Sequence, residues 1–286
     1  MSGYLHSVKE LLSKPEELPS FIVEQCTTLV LRMRSHEAII QMLNNFTQFS
    51  EAEIREKYQE FKNLGDFIQA VSNPRSIIGA YGIPEQAVAA YLMVRLLKPK
   101  NVVETGVASG NSSACILKAL ELNGKGVLYS IDLPGTEKSP VIDPSTPYKE
   151  AEVYKLEDES KIGWRVPDSL KENWTLQLGS SKELLDPLLE RLEQVDVFLH
   201  DSRHSYQNMT WEYRKVLPHL SPEGIIISDD VDWNTAFQDF TSKNELPCDS
   251  LLHYLSTWEM NGGKFPEQRS RESLSILGIF RQKEKS

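Results

Sequence analysis

From Asn101 onward, short apolar β-branched runs alternate with stretches of helical pattern, and this alternation narrows the choice of fold more than any other feature. The strand-like runs are N-V-V-E-T from Asn101, G-V-L-Y-S-I-D from Gly126, W-T-L-Q-L-G from Trp174, V-D-V-F-L-H-D from Val195 and G-I-I-I-S-D-D from Gly224. Between them lie S-S-A-C-I-L-K-A-L-E-L, S-K-E-L-L-D-P-L-L-E-R-L and Q-N-M-T-W-E-Y-R-K-V-L-P-H-L, whose apolar residues recur at helical spacing. Strands that are apolar throughout must be covered on both faces, and long helical crossovers join parallel neighbours. The pattern predicts an α/β fold with a mostly parallel sheet and helices on both faces. A late run, S-L-S-I-L-G-I-F-R-Q from Ser273, supplies a final strand.

Ahead of this core, residues 1–72 have a helical pattern with no glycine between Tyr4 and Leu64. Phe21, Ile22, Val23, Leu29, Val30, Leu31 and Met33 suggest one buried helix, and E-A-E-I-R-E-K-Y-Q-E-F-K from Glu51 a more exposed one. The Gly- and Pro-bearing stretch from Asn73 to Pro84 marks a boundary. We therefore expect a helical N-terminal extension over 1–72, acting as a lid or dimer surface, and a main domain over 73–286. Pro84 starts the next helix, E-Q-A-V-A-A-Y-L-M-V-R-L-L. The polar segment from Leu133 to Asn173 is too long for a tight connection, and loops of that length are usually lids or binding loops.

The formal net charge of -10 argues against a nucleic-acid binder, since a phosphate backbone needs cationic neutralisation. A small-molecule partner suits the charge better. No apolar run approaches the roughly 20 residues of a membrane span. The three cysteines, Cys26, Cys115 and Cys248, are far apart with no CxxC spacing. Buried free thiols in a reducing, cytoplasmic setting are expected.

The candidate binding loop is V-V-E-T-G-V-A-S-G-N-S-S-A, from Val102 to Ala114. In open α/β sheets, ligands lie beyond the carboxyl ends of the strands. The dinucleotide fingerprint G-x-G-x-x-G fails here, because Ala108 and Asn111 stand where its second and third glycines belong. Glu104 at the strand end would repel a pyrophosphate and attract a cation, which favours S-adenosylmethionine with its sulfonium and ammonium groups. Gly106 and Gly110 would let the backbone approach this ligand closely, and Asn111, Ser112 and Ser113 would receive its carboxylate at a helix N-terminus. A βα turn carrying a chance acid is the bland alternative. Asp132, ending the second strand, is placed to accept ribose hydroxyls. Ser180 and Ser181 could touch an adenine edge or cap the helix at Lys182, and the residues leave both open.

Asp201 and His204 follow the fourth strand, and Asp229 and Asp230 follow the fifth. Neighbouring strands lie about 4.8 Å apart, so these carboxylates converge. Like charges so close call for a cation, and oxygen ligands suit Mg²⁺. Asp201 capping a helix, with Asp229 and Asp230 on an exposed loop, is the structural alternative. His204 is a candidate general base or a packing histidine, and His200 is expected in the strand interior.

From about Gly82 to Phe240 the chain resembles class I S-adenosylmethionine-dependent methyltransferases, close to the macrolide sugar O-methyltransferase and cephalosporin-hydroxylase-like group. The resemblance rests on E-T-G-V-A-S-G-N-S-S, S-I-D-L-P, G-W-R-V-P-D, L-G-S-S-K-E-L-L, H-D-S-R-H-S-Y and S-D-D-V-D-W-N-T-A-F in this order. It implies a Rossmann-like seven-stranded sheet whose last strand is antiparallel. It also implies methyl transfer to a hydroxyl of a small molecule or sugar, with Asp201, Asp229 and Asp230 as metal ligands and His204, with Asp201, at the catalytic centre. Relatives with a metal often carry Glu-Asp where this chain has Asp229-Asp230. Two rival expectations are a non-catalytic cofactor-binding module on the same fold and, disfavoured by the broken fingerprint, a nicotinamide-dependent oxidoreductase. The N-terminal helices are a candidate surface for a homo-oligomer.

Overall fold

The computed structural model describes residues 20–72, 82–134, 159–251, 253–254 and 276–283, with side chains from Arg32 onward. The strands are β1 (Asn101–Thr105), β2 (Val127–Asp132), β3 (Trp174–Leu178), β4 (Val195–His200), β5 (Leu220–Ser228), β6 (Cys248–Ser250) and β7 (Gly278–Arg281). They form one seven-stranded sheet in the order β3-β2-β1-β4-β5-β7-β6. The five N-terminal strands pair in parallel, whereas β7 runs antiparallel to both β5 and β6. The expected antiparallel last strand is therefore present. The short edge strand β6 carries no apolar run, which is why the sequence did not disclose it.

Helices α1 (Ser20–Phe46), α2 (Glu51–Lys62), α3 (Gly65–Val71) and α4 (Glu85–Leu97) precede the sheet. Helix α5 (Asn111–Asn123) joins β1 to β2, α6 (Ser181–Leu192) joins β3 to β4, α7 (Tyr206–Val216) joins β4 to β5, and α8 (Ala236–Lys243) follows β5. Right-handed crossovers send α5 to one face and α6 and α7 to the other. The packing agrees, with α4 against α5 and α6 against α7. Helix α2 opens with a capping box: the Ser50 hydroxyl accepts from the Glu53 amide and the Glu53 carboxylate accepts from the Ser50 amide.

The core is a single buried apolar cluster running from Ala38 on α1 through α2, α4 and the central strands to Phe280 on β7. The apolar residues of α1 from Ala38 to Leu43 are spent inside the chain itself, so that stretch is not a free dimer surface. The side chains expected to bury at Phe21–Leu31 lie outside the described residues, as does 135–158 of the expected lid. Of the cysteines, Cys115 is buried as expected, but Cys248 on β6 is exposed. No described helix is long and apolar enough to cross a membrane.

Register aligns the strand ends that matter. Thr105 stands beside Ile131 and His200, and His200 beside Ser228. The residues that follow these positions emerge together at one edge. The strand order reverses between β1 and β4, which opens the crevice there.

Candidate active site

The loop after β1 is built to hug the protein before it meets any ligand. Gly106 has φ +88°, and a Cβ there would sit 1.9 Å from the carbonyl oxygen of Asp201. Glycine is required because the exits of β1 and β4 touch backbone to backbone. Gly110 has φ +89°, and its missing Cβ leaves room for Gly163 and Val166. Both glycines had been expected to admit a ligand; what the structure shows against them is other chain. Ala108 takes φ +45°, so a non-glycine adopts the left-handed shape. Asp132 Oδ2 holds it there, accepting from the amides of Val107 and Ala108 at 2.7 Å each. Both bonds fall on one oxygen, leaving Oδ1 without a bond from a described residue.

Glu104 does not stand at the mouth of the loop. It is fully buried, and its carboxylate accepts from the hydroxyls of Ser112 (2.6 Å), Ser113 (2.6 Å) and Ser130 (2.7 Å). Burial pushes its pKa up, the three hydroxyls oppose this, nearby Asp132 adds to it, and the result is about 6. The Ser112 and Ser113 hydroxyls, expected on a ligand carboxylate, are thus committed to Glu104. The Asn111 amide donates to the Val71 carbonyl at 2.6 Å, and its oxygen accepts from Ser109. Ser180 accepts from the Lys182 amide at 3.2 Å as the cap of α6, and Ser181 begins that helix.

The G-W-R-V-P-D stretch has a mechanical explanation. The amides of Gly163 and Arg165 donate to the carbonyls of Ala108 and Ser109. The Arg165 guanidinium donates to the carbonyls of Val71 and Ser72 at the end of α3, and it lies 4.5 Å over the Trp164 ring. One arginine therefore ties the 159–173 turn to the glycine loop and to the N-terminal helices.

The acids converge as expected, with one change. Asp201, His204 and Asp229 bring a ligand atom each to within 4.8 Å of one another. Asp230, expected as the third acid ligand, is not in that group. It adopts φ +47° and lies on the other side of the imidazole, with its Oδ2 3.7 Å from His204 Nδ1, while His204 Nε2 is 3.8 Å from Asp201 Oδ1. A left-handed turn directly after Asp229 sends consecutive carboxyls in different directions, which spacing along the chain does not reveal.

Burial raises the Asp201 pKa well above the carboxylate range, with Asp229 and Asp230 adding to it and the Gln86 amide opposing. Burial followed by Asp229, Asp232 and Glu85 pushes Asp230 up to about 9. Burial and neighbouring His200 lower His204 to about 3, against the pull of Glu212, so the ring is neutral at pH 7. Its Nε2 is buried without a hydrogen-bond partner, and Trp233 packs on it at 5.3 Å between ring centres. Carboxyl groups crowded together and disfavoured as ions are the oxygen donor set a divalent cation would satisfy. The residues present fit such an ion, held by the Asp201 and Asp229 carboxylates with His204 beside them.

Residues 103–231 match the family model described as a methyltransferase domain. The chain carries a methyltransferase domain. No curated protein sequence gives a significant match. Matching solved structures include the O-methyltransferase from Bacillus cereus in complex with SAH, at 15% identity over 86% of this chain and 97% of that one, TM-score 0.45. The O-methyltransferase TomG from Streptomyces achromogenes, in complex with SAM, matches at 13% identity over 76% of this chain and 88% of that one, TM-score 0.46. SAH-bound PaMTH1 from Podospora anserina matches at 12% identity, 81% and 88% coverage, TM-score 0.43.

The methyltransferase domain contains every candidate residue named from the sequence, and it holds one buried pair that sequence reasoning missed. His200 Nδ1 is 2.7 Å from Glu212 Oε2, both fully buried. Thr105 donates to the same carboxylate at 2.7 Å, Ser202 at 2.8 Å and Asn208 at 3.1 Å. Burial alone would raise Glu212, but His200 and the hydroxyl donors outweigh it and bring its pKa to about 2. The signal was present as Asn208 and Glu212, one turn apart on the same helix face as Met209 and Val216. A second missed residue, Gln86 on α4, lies outside the matched segment and donates to Asp201 Oδ2 at 3.2 Å.

Proposed function

We propose that this chain transfers a methyl group from S-adenosylmethionine to a hydroxyl of a small molecule or sugar, with a divalent cation, Mg²⁺ by preference, at Asp201 and Asp229. The observation that carries the reading is the contact of Gly106 with the Asp201 backbone. It places the glycine loop of the methyltransferase domain directly against the Asp201–His204–Asp229 cluster.

Glu104, charged or proton-sharing beneath its three serines, biases the loop toward a cationic donor. Asp132 shapes the loop through Val107 and Ala108, and Oδ1 remains to accept a ribose hydroxyl. In the transfer the sulfur–methyl bond breaks as the oxygen–methyl bond forms, the sulfur keeps the bonding electron pair, and a bound cation would lower the pKa of the attacking hydroxyl. His204 Nε2, neutral and unpartnered, takes that hydroxyl's proton. The carboxyls of Asp201 and Asp230 flank both ring nitrogens, so either, once ionised, stabilises the imidazolium. Trp233 holds the ring plane, and Trp164, exposed at 53%, offers an aromatic face near the loop for a ring-bearing acceptor.

The test is turnover of labelled S-adenosylmethionine against a panel of hydroxylated acceptors, with and without chelator, in the wild type, H204A and D229A. Chelation and D229A should each remove most activity, and H204A should lower it by about 10²- to 10⁴-fold. Full turnover under chelation and in D229A would take the cation out of the reaction. Absence of S-adenosylhomocysteine binding by calorimetry would end the methyl-donor reading altogether.

A further inference from the structure

Gln86 stands at the first turn of α4, more than nine-tenths buried, and its Nε2 donates to Asp201 Oδ2 at 3.2 Å. Its Oε1 is also buried and has no hydrogen-bond partner. The two amide atoms share one carbon, so the orphan oxygen sits beside the same carboxyl group. Next to Gln86 in the chain, Glu85 is fully buried and bound by Arg32 and by Ser35, whose hydroxyl donates at 2.6 Å. That clamp from α1 fixes the start of α4 and leaves the amide little freedom to turn away.

The amide presents its nitrogen to Asp201, so its oxygen, which can only accept, is left for a donor. No described residue donates to Oε1, and a hydrated divalent ion would bring water whose hydrogens point away from the metal. We infer that Gln86 is a positioning residue of the cation site, holding Asp201 through Nε2 and accepting through Oε1 from a water on the ion. The inference rests on the cation reading above, extends it beyond the methyltransferase-matched segment, and makes α4 and α1 part of the site's support.

The experiment is titration of purified full chain with Mn²⁺, followed by electron paramagnetic resonance, for the wild type and Q86M, with S-adenosylhomocysteine affinity measured in parallel. Methionine keeps the length of glutamine and removes both polar atoms. We expect Q86M to weaken Mn²⁺ binding 10- to 100-fold, the usual range for lost outer partners of metal ligands, while S-adenosylhomocysteine affinity stays within about threefold. Unchanged Mn²⁺ affinity in Q86M overturns the inference and leaves the cation reading standing. Equal losses of both ligands also overturn it, marking Gln86 as a packing residue. A wild type that binds no Mn²⁺ removes the cation reading and this inference together. Should Q86M fail to fold by circular dichroism, Q86N takes its place: its amide, one methylene shorter, should lower Mn²⁺ affinity about tenfold with S-adenosylhomocysteine affinity unchanged, and an unchanged Mn²⁺ affinity overturns the inference.

Discussion

Glu104 is a carboxyl group with no exposure, three hydroxyl donors and a pKa of about 6. Its folded value lies above the ordinary 4.5, so the folded state binds the proton more tightly. The stability it contributes is complete below about pH 4.5 and is lost as pH rises through 6. Denaturant melts between pH 4.5 and 7 should show a fall of about 2 kcal/mol attributable to this group, and E104Q should flatten it. The same variant should bind S-adenosylmethionine several-fold more weakly while S-adenosylhomocysteine, lacking the sulfonium, loses less; equal losses would show that the buried charge does not reach the donor's sulfur. At Gly106 the expectation is steric. Alanine there meets the Asp201 carbonyl and a left-handed backbone at once, so G106A should cost about 3–5 kcal/mol by urea midpoint. Both residues were legible as members of a loop from the E-T-G-V-A-S-G string. The partners Ser130, on β2, and Asp201, just past β4, were not, because they come from distant parts of the chain.

The elements divide in the same way. The β-branched runs from β1 to β5 and the helices between them could be recognised locally, since period and turn residues are properties of a short window. The edge strand β6 could not, because C-D-S has no apolar pattern and pairs only because β7 lies beside it. Helix α2 was legible in existence and in its exposed character, yet its role came from packing. Glu60 accepts from the Arg95 guanidinium at 2.6 Å and from the Tyr91 hydroxyl at 2.7 Å, and Phe61 lies 4.8 Å from the Tyr91 ring centre. Arg95 chiefly, with Tyr91, brings Glu60 down to about 2 against its burial. This contribution is present above the ordinary carboxylate pKa and is lost as pH falls through about 2. Removing the carboxylate with E60A should cost about 1–2 kcal/mol at pH 7, the lower part of the range for a charge-assisted bond because the group is partly solvated. A denaturant midpoint unchanged from the wild type would show that α2 docks by its apolar face alone.

For the whole molecule, the continuity of the core decides how the N-terminal helices relate to the sheet. Composition marked a boundary near residue 73, but buried side chains run without interruption from α1 across α4 to β7. Arg165 and Asn111 bind the end of α3 to the glycine loop. A chain lacking residues 1–72 would expose the covered side of α4 and leave buried Glu85 without Arg32 and Ser35. We expect it to lose cooperative unfolding and S-adenosylhomocysteine binding together, measured by circular dichroism and calorimetry; a truncated chain that melts sharply and binds normally would make the helices a separable appendage. In the full chain, S-adenosylhomocysteine at a hundredfold excess over Kd should add about 2.7 kcal/mol of stability, visible as one shifted transition.

By itself the sequence determined the α/β class, the strand and helix succession, the loop that follows β1 and the crowding of acids after β4 and β5. All of these follow from residue type and short-range period, which the chain carries without folding. Tertiary structure alone decided that Glu104 faces serines inward, that Asp230 turns away from Asp229, that His200 pairs with Glu212 and that Gln86 reaches Asp201 from a helix outside the methyltransferase segment. Those outcomes depend on which backbones approach closely enough to exclude water, and that distance is set only when the whole sheet and its helices have packed.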